Sequence, residues 1–206
     1  MQRNNNIGYY YTGGADIRTV LIVGNNRSGT SMVAGILQLM GVFMGAKAGP
    51  PFYEDVQLAK ALKRGKNYKE IIQDYNQYPM WGFKKPSANR LIFRNVKQFK
   101  QPLFIHIHRD PVAVASRTSQ MMETPFLDQL SETSKQQFKL LKKINKIAKT
   151  YPVLYCSYEK ILLYPDRFVG QLSEILAIDI KADLRRQIIE FIHPENRDYL
   201  DLLFGN

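Results

Sequence analysis

Apolar residues along this chain fall into two alternating rhythms. Val20–Val23 and Leu103-Phe104-Ile105-His106-Ile107-His108 are short apolar runs, bounded by Gly24 and by Arg109-Asp110-Pro111. Runs of this length with turn signals at their ends read as buried strands. Trp81-Gly82-Phe83, ended by Lys84-Lys85-Pro86, and Pro152–Ser157 read the same way. Between them the spacing stretches to that of a helix. Val33, Ile36, Leu37 and Met40 predict a helix stopped by Gly41, and residues 55–64 predict a second. Ser87 is the expected N-cap of a third, running to about Phe99. Further helices are predicted from Val112, Ala113 and Ala115 onward, and over roughly residues 126–149, 165–177 and 181–192. Residues 1–17, rich in Asn, Gly and Tyr, read as a peripheral tail. The alternation predicts an α/β fold of three layers: a central parallel sheet of about four to five strands with helices on both faces. Ligands of such sheets bind beyond the carboxyl ends of the strands. With no repeat, low-complexity tract or linker in view, residues 1–206 are expected to form a single domain.

Composition narrows the setting. The chain has 206 residues, 45% hydrophobic and 23% charged, enough for one compact core. No apolar stretch approaches the length of a membrane span, and no signal-peptide core precedes residue 18. Cys156 is the single cysteine, which excludes an internal disulfide; a cytoplasmic protein is expected. The net charge of +11 favours anionic partners, and it leaves peripheral membrane contact open. The basic residues are scattered, however, and no nucleic-acid motif is visible. The lysines of Lys139–Lys146 alternate with Leu140, Leu141, Ile144 and Ile147, the pattern of a wet helix face.

Two stretches carry chemistry. Gly24-Asn25-Asn26-Arg27-Ser28-Gly29-Thr30-Ser31 has the spacing of a Walker A loop, but Thr30 occupies the lysine position. A strand, a glycine loop and a helix start still make an anion cradle from backbone N–H groups. The nearest cation is Arg27. The loop therefore suits a 5′-phosphate whose next group carries less charge than a phosphoryl group, such as sulfuryl. The second stretch is His108-Arg109-Asp110-Pro111 with Ser116 and Arg117 downstream. A strand end delivers an arginine fork and the next helix returns a hydroxyl, which suits a phosphate dianion. His106 and His108 share a strand face with no acidic cluster beside them, so they read as core or rim residues, and no metal is expected.

The loop, followed by Leu39-Met40-Gly41-Val42-Phe43-Met44-Gly45, resembles bacterial members of the sulfotransferase family. That family has a P-loop kinase-like fold and uses 3′-phosphoadenosine 5′-phosphosulfate (PAPS) as sulfuryl donor. Three more segments fit it in order: Phe52-Tyr53-Glu54-Asp55, Trp81-Gly82-Phe83-Lys84-Lys85-Pro86, and Tyr158-Glu159-Lys160-Ile161-Leu162. The resemblance implies that Asn26, Arg27, Ser28, Gly29, Thr30 and Ser31 bind the 5′-phosphosulfate. It implies Arg109 and Ser116 as ligands of the 3′-phosphate. Arg117 stands in the slot where the family usually has serine, so Ser116, Arg117 and Ser119 are rivals. Tyr158 would contact adenine, and Arg27 and Lys84 would stabilise the moving charge. Glu54 is the expected base, with Asp55 and His108 as alternatives. The acceptor would be a small-molecule or glycan hydroxyl or amine, held by residues 43–80 and 118–135. The family's basic, glycine-containing C-terminal loop has no counterpart; Arg185, Arg186 or Arg197 are the candidate substitutes.

Two other classes fit parts of the pattern. A P-loop kinase or NTPase with a displaced lysine shares the fold. A non-catalytic polyanion-binding protein would use the surplus positive charge alone.

Overall fold

The computed structural model describes residues 9–13 and 16–192. Four strands are parallel: β2 (Thr19–Gly24), β3 (Trp81–Lys84), β4 (Pro102–His108) and β5 (Val153–Ser157). The fifth, β1 (Tyr9–Tyr11), pairs antiparallel with β5 and completes the order β1-β5-β4-β2-β3. The nine helices of the described residues are α1 (Thr30–Leu39), α2 (Val56–Arg64), α3 (Tyr68–Tyr75), α4 (Asn89–Arg94), α5 (Pro111–Met122), α6 (Phe126–Ile147), α7 (Tyr158–Leu163), α8 (Pro165–Leu176) and α9 (Ala182–Ile192).

Both faces of the sheet are covered, which is why its strands read as unbroken apolar runs. Val20 and Ile22 point with Leu103, Ile105 and Ile107 into a core closed by α1, α8 and α9. Leu21 and Val23 point the other way, with Phe83 and Phe104, into a core closed by α2, α3, α4 and α6. This gives the three layers expected from the sequence. Register then decides what meets at the carboxyl edge. Ile22 faces Lys84, Gly24 faces Ile107, and His108 faces Ser157. The glycine loop, Lys84, Arg109 and Tyr158 therefore emerge side by side.

Of the peripheral segment expected over residues 1–17, residues 1–8, 14 and 15 lie outside the described residues. Tyr9–Tyr11 is an edge strand, anchored further by Thr12, whose hydroxyl accepts from the Val153 amide at 2.9 Å. It covers the otherwise open edge of β5. The helix expected from Ser87 to Phe99 is broken into a 3₁₀ turn at Pro86–Ala88, the short α4, and a second 3₁₀ turn at Val96–Gln98. Ser87 caps nothing; its side chain is exposed. Asn95 stops α4 by turning its side-chain amide onto the Leu91 carbonyl at 2.9 Å, the local competition that disfavours Asn within helices. The other predicted elements form within a few residues of their expected bounds; α3 and α7 are additional to them.

Candidate active site

The loop between β2 and α1 is held by its own short bonds and by one long-range brace. The Ser28 hydroxyl donates to the Asn25 carbonyl at 2.7 Å and the Ser28 amide donates to the same oxygen at 3.2 Å. Asn89 of α4 donates its amide to the Gly24 carbonyl at 2.8 Å. Arg27 (φ 65°) and Gly29 (φ 90°) are both left-handed, so the chain doubles back before α1 begins. Such conformations cost energy and persist where the surroundings enforce them. At Gly29 the need for glycine is also steric: a Cβ there would lie 2.2 Å from Cδ2 of the Tyr158 ring. The opening N–H groups of α1 have no intrahelical acceptor and face the loop's concavity.

Cations gather around this concavity. Arg109 donates from Nη1 to the Arg27 carbonyl at 2.9 Å, and its guanidinium lies 4.4 Å from the centre of the Tyr158 ring. Its backbone carbonyl accepts from Gln137 of α6 at 2.8 Å, and the Asp110 amide donates to Glu159 at 2.8 Å. Burial, followed by the nearby Arg117 charge, lowers the pKa of the Arg27 guanidinium. Arg109 Nε and the side-chain amide of Asn25 are buried donors without a hydrogen-bond partner among the described residues. Buried donors left open are costly, and at this edge they fit an anionic ligand.

Lys84 is different. It is 2% exposed, and its ammonium donates to Ser31 Oγ at 2.9 Å, to the Phe52 carbonyl at 2.8 Å and to Glu54 Oε1 at 3.0 Å. Lys85, 28% exposed, donates to the other carboxylate oxygen, Oε2. Burial alone would raise the Glu54 pKa; the hydrogen bonds and charge of the two lysines outweigh it and hold the carboxyl below its ordinary value. Burial lowers the Lys84 pKa, against the pull of Glu54.

The remaining sequence candidates sort by environment. Asp55 is fully buried and caps α2, accepting from the Gln57 and Leu58 amides at 2.9 and 3.2 Å and from the Tyr75 hydroxyl at 2.5 Å. His106 is a core residue whose pKa burial pushes down to about 4, while His108 lies at the exposed strand end. Ser119 donates its hydroxyl to the Thr124 carbonyl beyond α5. Ser116 and Arg117 are half-buried on α5, and Asn26 is exposed on the loop. Arg185 pairs with Asp166 and Arg186 with Asp183, both on the surface; Arg197 lies outside the described residues.

Sequence reasoning missed Asn89, Gln137 and Glu159 as supports of the site. Gln137 had a signal. Buried Thr133 and Gln137 continue the apolar stripe of Leu140 and Ile144 towards the start of α6, so polar residues occupy a core-facing stripe. Asn89 and Glu159 had none, because each acts across a long sequence separation.

A cavity of about 860 Å³ opens at the opposite, amino edge between Arg18, Phe43, Tyr78, Lys100 and Ile178, away from these groups. Among the described residues no cluster of His, Cys, Asp and Glu is placed to hold a metal ion, and no helix is long and apolar enough to cross a membrane.

No family model matches the chain, and no curated protein matches it by sequence. Solved structures do match its fold. The sulfotransferase domain of the Synechococcus PCC 7002 olefin synthase superposes with a TM-score of 0.58 at 16% identity, covering 83% of this chain and 77% of that one. Sulfotransferase STF1 of Mycobacterium tuberculosis gives 0.59 at 12% identity, covering 85% and 71%. Mouse sulfotransferase SULT7A1, solved with PAP, gives 0.51 at 13% identity, covering 87% and 64%. The chain thus has the α/β fold that these sulfotransferases share.

Proposed function

We propose that this chain transfers a sulfuryl group from PAPS to a hydroxyl or amine. The observation that carries the reading is the set of cations on the glycine loop. Arg27 and Arg109 are joined by a hydrogen bond, Arg117 is close by, and no lysine stands in the loop's triphosphate-reading position. The fold, shared with sulfotransferases of which one was solved with PAP, supports the same reading.

The loop amides of residues 26–31 and the Arg27 guanidinium bind the 5′-phosphosulfate. Arg109, with its open Nε, and Arg117 hold the 3′-phosphate; Ser116 adds a hydroxyl beside them. Tyr158 backs Arg109 and closes on Gly29, so it sets the floor on which adenine rests. PAPS supplies a sulfuryl group on a good leaving group, adenosine 3′,5′-bisphosphate. The protein's share is alignment and charge stabilisation. As the acceptor O–S or N–S bond forms, the bond from sulfur to the bridging phosphate oxygen breaks. Glu54 takes the acceptor's proton. Asp55 is consumed by the α2 cap, which leaves Glu54 the better-placed carboxylate. Its two lysines keep it deprotonated. Lys84, the lysine expected from the sequence to stabilise the moving charge, has its three donors engaged, so that role passes to Lys85, the more exposed, which moves aside and onto the sulfuryl oxygens.

Calorimetric titration with adenosine 3′,5′-bisphosphate, adenosine 5′-phosphate and Mg-ATP tests this. The bisphosphate is expected to bind tightest, without metal. Tighter binding of Mg-ATP would replace the proposal with a kinase or NTPase. Indifference to all three, with steep salt-dependent binding to polyanions, would favour a polyanion-binding protein.

A further inference from the structure

In a Walker A loop the hydroxyl after the lysine ligates the magnesium of a nucleoside triphosphate. Ser31 holds that position here, one residue after Thr30. Its oxygen accepts from Lys84, which arrives from the neighbouring strand, where it pairs with Ile22 of β2. Two further oxygens converge on the same ammonium, the Phe52 carbonyl and Glu54 Oε1. All three lie 2.8–3.0 Å from Nζ. A lysine ammonium has three N–H donors and no more. It is therefore saturated, and it is buried.

We infer that Ser31, the Phe52 carbonyl and Glu54 form a cation site that the chain fills from within, Lys84 standing where a triphosphate-binding loop keeps its metal ion.

A carbonyl, a hydroxyl and a carboxylate are the hard oxygen ligands that calcium and magnesium take. The chain supplies them and then occupies them with a covalently tethered monovalent cation. Two consequences follow. The site presents one charge where a metal presents two, in keeping with a sulfuryl group that carries less charge than a terminal phosphoryl group. It also opposes a magnesium nucleotide, whose ion would be driven against a buried ammonium; such built-in repulsion discriminates between ligands. The oxygen cluster rests on geometry alone, and only its part in transfer rests on the sulfuryl-transfer reading.

The test uses calcium alone, with no nucleotide, so its outcome is separate from that of the donor-binding titration. Lys84→Ala removes the amine and leaves three oxygens facing one point. Calcium at a hundredfold excess over its Kd is expected to raise the melting temperature of Lys84→Ala by about 5 °C or more. Wild type is expected not to respond. The response is expected to vanish when Glu54→Gln is added, because the carboxylate is the charged ligand. Should Lys84→Ala be unfolded in chelator, calcium is expected to restore its helical circular dichroism. An equal shift in wild type, no shift or refolding in Lys84→Ala, or a shift that survives Glu54→Gln would each overturn the inference.

Discussion

Lys84 and Arg109 are both cations that strand ends deliver to the carboxyl edge, and they are treated in opposite ways. Lys84 is buried and every one of its donors has a protein acceptor. Arg109 spends Nη1 on the Arg27 carbonyl, leans on Tyr158, and keeps Nε buried and open. A saturated cation has no N–H left to donate, whereas an unsaturated one keeps a donor open. The contrast predicts that damage around Lys84 appears first in stability and damage around Arg109 first in affinity.

Removing the partner of the saturated cation should have the largest effect. Glu54→Ala leaves Lys84 buried with two neutral acceptors, and breaking a buried pair costs about 3 kcal/mol. For a chain of this size we expect a melting temperature lower by about 6–12 °C. Acidity sharpens the test. The Glu54 pKa is lowered in the folded state, so its contribution is complete above the ordinary carboxylate value, about 4.3, and is lost as pH falls through the folded value. Wild type should therefore lose stability on acidification below about pH 4 more steeply than Glu54→Ala. Equal slopes would remove Glu54 from the account.

Arg109→Ala comes next. Loss of charged hydrogen bonds should weaken bisphosphate binding about 10–100-fold, with a smaller change in melting temperature than Glu54→Ala gives. If the melting temperature fell further than in Glu54→Ala, the contrast between the two cations would be broken.

Gly29→Ala tests the seam between them. Its φ of 90° and the 2.2 Å approach to Tyr158 require the ring to move. About tenfold weaker binding is expected, part of it recovered when Tyr158→Ala makes room, since residues in contact do not behave additively.

Smallest is Arg117→Ala. It relieves repulsion on Arg27, so the free protein should melt slightly higher while bisphosphate affinity falls about fivefold. Ser116→Ala should do less. The reverse order would return the 3′-phosphate to Ser116.

The parts of this site that follow from local rules were legible in the sequence. Val20–Val23, the glycines at 24 and 29, and the helical spacing of Val33, Ile36 and Leu37 together specify a strand, a loop and a helix, and the structure forms them. Strand ends at Lys84 and Arg109 followed from Pro86 and Pro111. What escaped depends on distance in sequence. Tyr9–Tyr11 becomes a strand only because β5 offers an edge, and three tyrosines carry no alternation to announce it. Asn89 matters because it reaches Gly24, and Glu54 is pinned by lysines that come from another strand. Ser87 shows the converse: a good cap signal lost to Pro86 and Asn95, which close tighter turns on either side.

The most direct measurement is the ratio of affinities for adenosine 3′,5′-bisphosphate and adenosine 5′-phosphate, by calorimetry, in wild type and Arg109→Ala. The account predicts a wild-type preference for the bisphosphate that collapses towards one in the variant. A wild-type ratio near one, or a preference that survives the loss of Arg109, would contradict it.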